Sequence, residues 1–128
     1  MEALDAPVGD EEEFRRVLEI IGPLYWHRFD AELDARVFAR TVYSAEAYEA
    51  GGSLLEGWDL TPRLGEIDAP TLIVVGRDDF VTPPSQARIL HEGIPVSELV
   101  VLERSGHMPW LEEPDGFLGA IRGWVERT

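Results

Sequence analysis

The chain has 128 residues, 45% of them apolar and 28% charged, with 25 acidic side chains against 11 basic ones and a formal net charge of −14. Such a length and apolar content suit a globular chain with a core of its own, while the negative field repels polyanions and disfavours nucleic-acid binding. No apolar run approaches the roughly 18 residues of a membrane span, Met1-Glu2-Ala3-Leu4-Asp5 lacks the basic-then-apolar order of a leader, and the absence of cysteine removes disulfides, thiolate metal sites and a thiol nucleophile.

These exclusions leave a chain expected in the cytoplasm, with neither membrane nor nucleic acid as partner. His27, His91 and His107 are scattered, so no histidine metal site is expected. Every basic residue is arginine, a compositional bias without mechanistic weight, and the excess acid reads as a solubilising surface, with attraction of a cationic substrate as the functional alternative.

Residues 1 to 10 carry Pro7, Gly9 and acids, and read as a loose lead-in. Asp10 is placed to cap a helix in which Glu11, Glu12 and Glu13 favour the positive N-terminal dipole and Phe14, Val17, Leu18 and Ile21 recur at helical spacing. Gly22-Pro23 ends it. Leu24 to Phe29 is aromatic-rich without a clear period, and its Trp26-His27 is assigned to packing of the helical segment, with a ligand contact as the functional alternative. Asp30 to Arg40 predicts a second helix with Leu33, Val37 and Phe38 on one side. Ser44 is placed to cap a third, Ala45 to Ala50, stopped by Gly51-Gly52. Its Glu46 and Glu49 share one face and are read as solvated, with a substrate ammonium as the functional alternative. Three short acidic helices with aromatic interruptions have the texture of a cap or lid, marking residues 1–52 off from 53–128.

After Gly52 the texture changes. Leu54 to Leu60 is a connector, Thr61 to Leu64 one helical turn, and Thr71-Leu72-Ile73-Val74-Val75 a continuous apolar run, the pattern of a strand covered on both faces. Gly76-Arg77-Asp78-Asp79 follows it. Thr82 and Pro83 are expected to start a helix over Pro84 to Glu92, closed by Gly93. A second strand is predicted from Leu99 to Glu103, followed by the loop Ser105-Gly106-His107. Pro114 or Asp115 opens a last helix with Phe117, Leu118, Ile121, Trp124 and Val125 as its apolar stripe. Strand, helix and strand in this order call for a parallel crossover. Two parallel strands alone leave both edges open, so the pattern reads as one side of a larger sheet.

Active sites of open α/β sheets form beyond the carboxyl ends of the strands, where Asp79 and His107 both fall. Separately, the aspartates have a plain reading as a helix-capping turn and the histidine as a loop residue. Together they suggest a carboxylate that orients an imidazole and stabilises its protonated form. Trp110, three residues on, is a candidate wall of a substrate pocket, with plain packing as the equal alternative, and Arg77 is read as the partner of a nearby acid.

Ala69 to Val125 resembles the C-terminal part of α/β-hydrolase-fold enzymes. The resemblance rests on Pro70 to Asp79, Thr82-Pro83, Ser105-Gly106-His107, Glu112 or Glu113 with Pro114, and Phe117. It implies Asp79 as the triad acid with Asp78 in reserve, His107 as the base, no cofactor, and a serine on an upstream Gly-x-Ser-x-Gly elbow. The expected fold is then α/β: a partial α/β-hydrolase fold, two parallel C-terminal strands with flanking helices, preceded by an all-helical cap-like segment. Within the family the chain is most similar to proline iminopeptidases and other small-substrate hydrolases, which implies a small-molecule or short-peptide substrate.

One part of the pattern is missing. None of Ser44, Ser53, Ser85, Ser97 and Ser105 stands in a Gly-x-Ser-x-Gly context after a strand. The chain is therefore expected to be the C-terminal portion of a serine hydrolase of the aminopeptidase or small-molecule esterase type, carrying the acid and histidine of a Ser-Asp-His triad. It would be completed by an N-terminal segment or a homo-oligomer. The alternative is a catalytically inactive truncated or split product that acts by pairing with another chain.

Overall fold

The structure, a computed structural model, describes residues 10–42 and 44–128. The expected lead-in before Asp10 lies outside the described residues. They group into two compact units, one of residues 10–23 and 31–58, the other of 24–30 and 59–128. The division thus falls after Trp58 where the sequence texture suggested 52, and the aromatic segment Leu24–Asp30 goes with the second unit.

The first unit is helical. Helix α1, Glu11–Ile21, begins where the Asp10 side chain accepts from the Glu13 amide at 2.9 Å, with three glutamates in its first turn. Helix α2 is Ala31–Phe38, and α3, Ala45–Leu55, starts where the Ser44 hydroxyl accepts from Ala47 N at 3.1 Å. Phe14 of α1 and Tyr48 of α3 pack with ring centroids 4.8 Å apart. Contrary to expectation, α3 runs through Gly51 and Gly52. Glycine ends a helix where its backbone turns left-handed, and among the described residues only Gly57, at φ +73°, does so.

The second unit carries the sheet. Strand β1, Thr71–Gly76, pairs in parallel with β2, Ser97–Leu102, from Thr71 opposite Ser97 to Gly76 opposite Leu102. The pairing starts β2 earlier than the apolar run suggested, because Thr71 N already donates to Val96 O at 2.9 Å. Helix α4, Pro84–Gly93, and the 3₁₀ turn Thr61–Glu66 pack on one another through Gly93 and the buried Leu64, a contact so close that a Cβ on Gly93 would stand under 3.0 Å from the leucine side chain. Pro109–Glu112 forms a one-turn helix, α5, that the sequence did not announce, and Pro114–Val125 forms α6. The apolar stripe of α6 is narrower than expected. Phe117, Ile121 and Trp124 face β1, while Leu118 and Val125 are exposed.

Val75, Ala87, Ile94, Leu102, Leu64 and Trp26 are among the buried apolar side chains of this unit. Thr71 to Val74 are only half-buried, so the strand that reads as covered on both faces is not fully covered by the described residues. A groove of about 510 Å³ lies open along Leu72 and Val74 of β1 and Phe117, Ile121 and Trp124 of α6. Among the described residues the sheet has two strands, and no helix is long and apolar enough to cross a membrane.

Candidate active site

The two strands end side by side, and the loops beyond them touch. Arg77 N donates to Leu102 O at 2.9 Å and Asp78 N to Ser105 O at 3.0 Å, prolonging the pairing past the strands. A Cβ on Gly76 would stand under 3.0 Å from the carbonyls of Ser105 and Gly106. Only glycine lets the two backbones approach this closely.

Asp79 closes the turn, its amide donating to Gly76 O at 3.2 Å. Its carboxylate is 7% exposed and accepts from the amides of Val81 and Thr82 at 2.9 and 2.8 Å on Oδ1, and from the Thr82 hydroxyl at 2.9 Å on Oδ2. Thr82, expected as a helix cap, is spent here instead, and Pro83 takes the cap position of α4 without a side-chain bond. The carboxylate is thereby fixed in orientation before any partner arrives.

That partner is His107, whose Nδ1 lies 3.0 Å from Oδ1 and 3.1 Å from Oδ2. A carboxylate only accepts, so Nδ1 carries a proton, and in the neutral ring Nε2 then presents the lone pair. No hydrogen bond engages Nε2 among the described residues, and the side chain is 30% exposed. The arrangement can take a proton at Nε2 and hold the resulting imidazolium against a buried carboxylate.

Residues 24–30 form the back of this site, a placement that corrects the assignment of Trp26-His27 to the helical segment. His107 N donates to Tyr25 O at 2.7 Å, and the Tyr25 ring meets the imidazole edge-on at 5.3 Å. Gly106 has no room for a Cβ, which would stand under 3.0 Å from Tyr25 O and His27 N. Trp26 is buried, and His27 Nδ1 lies 2.5 Å from Asp78 Oδ2. The reserve acid thus has a histidine of its own.

Two carboxylates that the sequence left undivided have separate tasks. Glu112 accepts from Gly106 N at 2.6 Å and His27 N at 2.7 Å. Glu113 accepts from Arg104 N at 3.0 Å and, at a long 3.3 Å, from the hydroxyl of the wholly buried Ser105. Nothing periodic marks the Leu24–Asp30 strap. Its one cue was a run of aromatic residues without an α-helical period.

The remaining candidates stand outside this network of hydrogen bonds. Trp110 is 50% exposed and leans its ring on Phe117 at 6.3 Å. Arg77 pairs with Glu103, which raises the guanidinium pKa, and Arg77 holds the Glu103 carboxyl below its ordinary value by the same hydrogen bonds. Glu46 and Glu49 are exposed on α3. None of the five serines hydrogen-bonds His107. Ser44 caps α3, Ser53 and Ser85 are exposed on helices, and Ser105 is buried on Glu113. Ser97 does meet an imidazole, His91, at 2.9 Å, but it opens β2 at the amino end of the sheet, away from the loops of Asp79 and His107.

The model of the alpha/beta hydrolase family matches residues 3–120. The chain is 34% identical over 116 residues to a proline iminopeptidase of Pestalotiopsis fici, a match covering 90% of this chain and 41% of the relative. It is 30% identical over 105 residues to a pimeloyl-[acyl-carrier protein] methyl ester esterase of Hamiltonella defensa, covering 82% of this chain and 40% of that one. Among solved structures, an esterase from Exiguobacterium antarcticum superposes with a TM-score of 0.82 at 27% identity, over 98% of this chain and 48% of the esterase. The chain therefore spans less than half the length of these relatives.

Proposed function

The chain belongs to the alpha/beta hydrolase family, and on that premise we propose that it supplies the acid and base of a serine hydrolase triad, Asp79 and His107. The observation that carries this reading is the imidazole held through Nδ1 on a buried, hydrogen-bonded carboxylate with Nε2 unengaged. A serine outside these 128 residues, from a complementing N-terminal segment or a second chain, attacks the substrate carbonyl while His107 Nε2 takes its proton. His107 then protonates the leaving group, and in the second half it draws a proton from water to release the acyl group. No step calls for a cofactor. The substrate is a small ester or a short peptide with an N-terminal residue to be released, as the names of the relatives suggest. Trp110, half-exposed in the turn after His107, is assigned to the substrate's apolar part.

Joining the chain to a segment that carries a Gly-x-Ser-x-Gly elbow tests this. The complemented protein is expected to react with a serine-directed phosphonate and to cleave an aryl ester or a prolyl arylamide, and His107→Ala to lower that rate by at least about a thousandfold. A complemented protein that folds yet reacts with neither probe removes the reading.

A second reading is favoured by the half-covered strands and by the lack of a serine on His107: a non-catalytic chain that acts by pairing its open sheet with another chain. It predicts binding to a hydrolase-type segment without any turnover.

A further inference from the structure

The loops and the strap form a closed circuit of hydrogen bonds. Asp79 bonds His107, and Gly106, the neighbour of His107, donates to Glu112. Glu112 accepts from His27, and the His27 ring bonds Asp78, the neighbour of Asp79. We propose that Glu112 is a positioning residue which ties the His107 loop to the strap and so holds the imidazole on Asp79, an inference that rests on the catalytic reading of that pair.

Glu112 is suited to this by having two acceptors on one rigid group. Oε2 takes the Gly106 amide at 2.6 Å and Oε1 the His27 amide at 2.7 Å, and neither amide has a strand or helix partner to satisfy it. Gly106 is buried, so its N–H left alone would carry the full cost of an unpaired donor. The one-turn helix α5, started by the buried Pro109, is what brings Glu112 back beneath the loop, with its own amide donating to Met108 O at 3.1 Å. His107 N in turn donates to Tyr25 O at 2.7 Å, so the strap holds the loop both directly and through Glu112. The chemistry calls for a carboxylate. Glutamine would keep one acceptor and turn an N–H toward the other donor, opening one arm at almost unchanged volume.

The test is nuclear magnetic resonance on the full chain, which needs no nucleophile. The unaltered chain is expected to show a downfield His107 Nδ1 proton. In Glu112→Gln that signal should broaden into exchange with water, and the Gly106 and His107 amides should exchange about tenfold faster or more, the loss expected for one hydrogen bond to a charged group. The amides of α4 should change less than about twofold. Unchanged His107 signals and exchange overturn the proposal, as does a loss that reaches α4 equally, which would mark Glu112 as merely structural. No downfield proton in the unaltered chain overturns it as well. Should Glu112→Gln fail to fold, Asp78→Ala opens the circuit at an exposed side chain and must speed exchange at the same amides, or the proposal falls. A chain that passes but stays inert when complemented keeps the positioning role and loses the hydrolase reading.

Discussion

Asp78 and Asp79 share a peptide bond and bond different histidines: Asp79 holds His107 Nδ1 at 3.0 Å, while Asp78 holds His27 Nδ1 at 2.5 Å. The turn after β1 buries one carboxylate beneath the amides of Val81 and Thr82 and leaves the other exposed toward the strap. In the complemented hydrolase, Asp79→Asn is therefore expected to lower kcat by about ten-thousandfold, because the amide no longer fixes the imidazole tautomer. Asp78→Asn still accepts from His27 and should cost less than about tenfold. Steady-state rates on an aryl ester separate the two, and equal losses would show the acid assigned wrongly.

The glycines divide by what surrounds them. Gly106→Ala drives a methyl into the strap backbone at Tyr25 and His27 and is expected to destabilise the fold by about 1–3 kcal/mol. Gly51 and Gly52 lie inside α3 with nothing near a would-be Cβ, so alanine at either is expected to stabilise by about 0.5–1 kcal/mol. Urea midpoints of the three variants check the signs, and a tolerated Gly106→Ala would contradict the close crossing.

Stability should fall in acid through Glu103. Its carboxyl is held below its ordinary value of 4.5 by the hydrogen bonds and charge of Arg77. A carboxyl lowered in the folded state contributes above the unfolded value, and that contribution is lost as pH falls below 4.5 and through the folded pKa. Both side chains are exposed, so the effect is small and weakens with salt. Arg77→Met should flatten this part of a denaturation-against-pH curve, and an unchanged slope would remove the pair from the account.

The open sheet predicts self-association of the chain alone. Leu72 and Val74 border the groove beside α6, and among the described residues the half-buried sheet is only two strands wide. Sedimentation velocity is expected to show association rising with concentration, and Val74→Lys to weaken it by about tenfold. A monomer at every concentration would mean that the two strands suffice.

Much of this molecule was readable from local signals. Asp10 followed by three glutamates starts α1 because a capping oxygen and a helix dipole act within one turn. The run from Thr71 to Val75 is a strand because continuous β-branched and apolar residues suit a pleated, covered surface. That an acid and a histidine follow successive parallel strands was enough to place them at one edge of the sheet. What the sequence left open was decided by contacts between residues far apart in the chain. Nothing near Asp78 says that it meets His27, nor near Glu112 that it grips the strap, since these bonds span 51 and 85 residues. The hydroxyl of Thr82 had a local use as a cap, and a buried carboxylate took it instead. Periodicity and capping act within a few residues and fix the elements, whereas which histidine each of two adjacent aspartates bonds belongs to the packing that buries one of them.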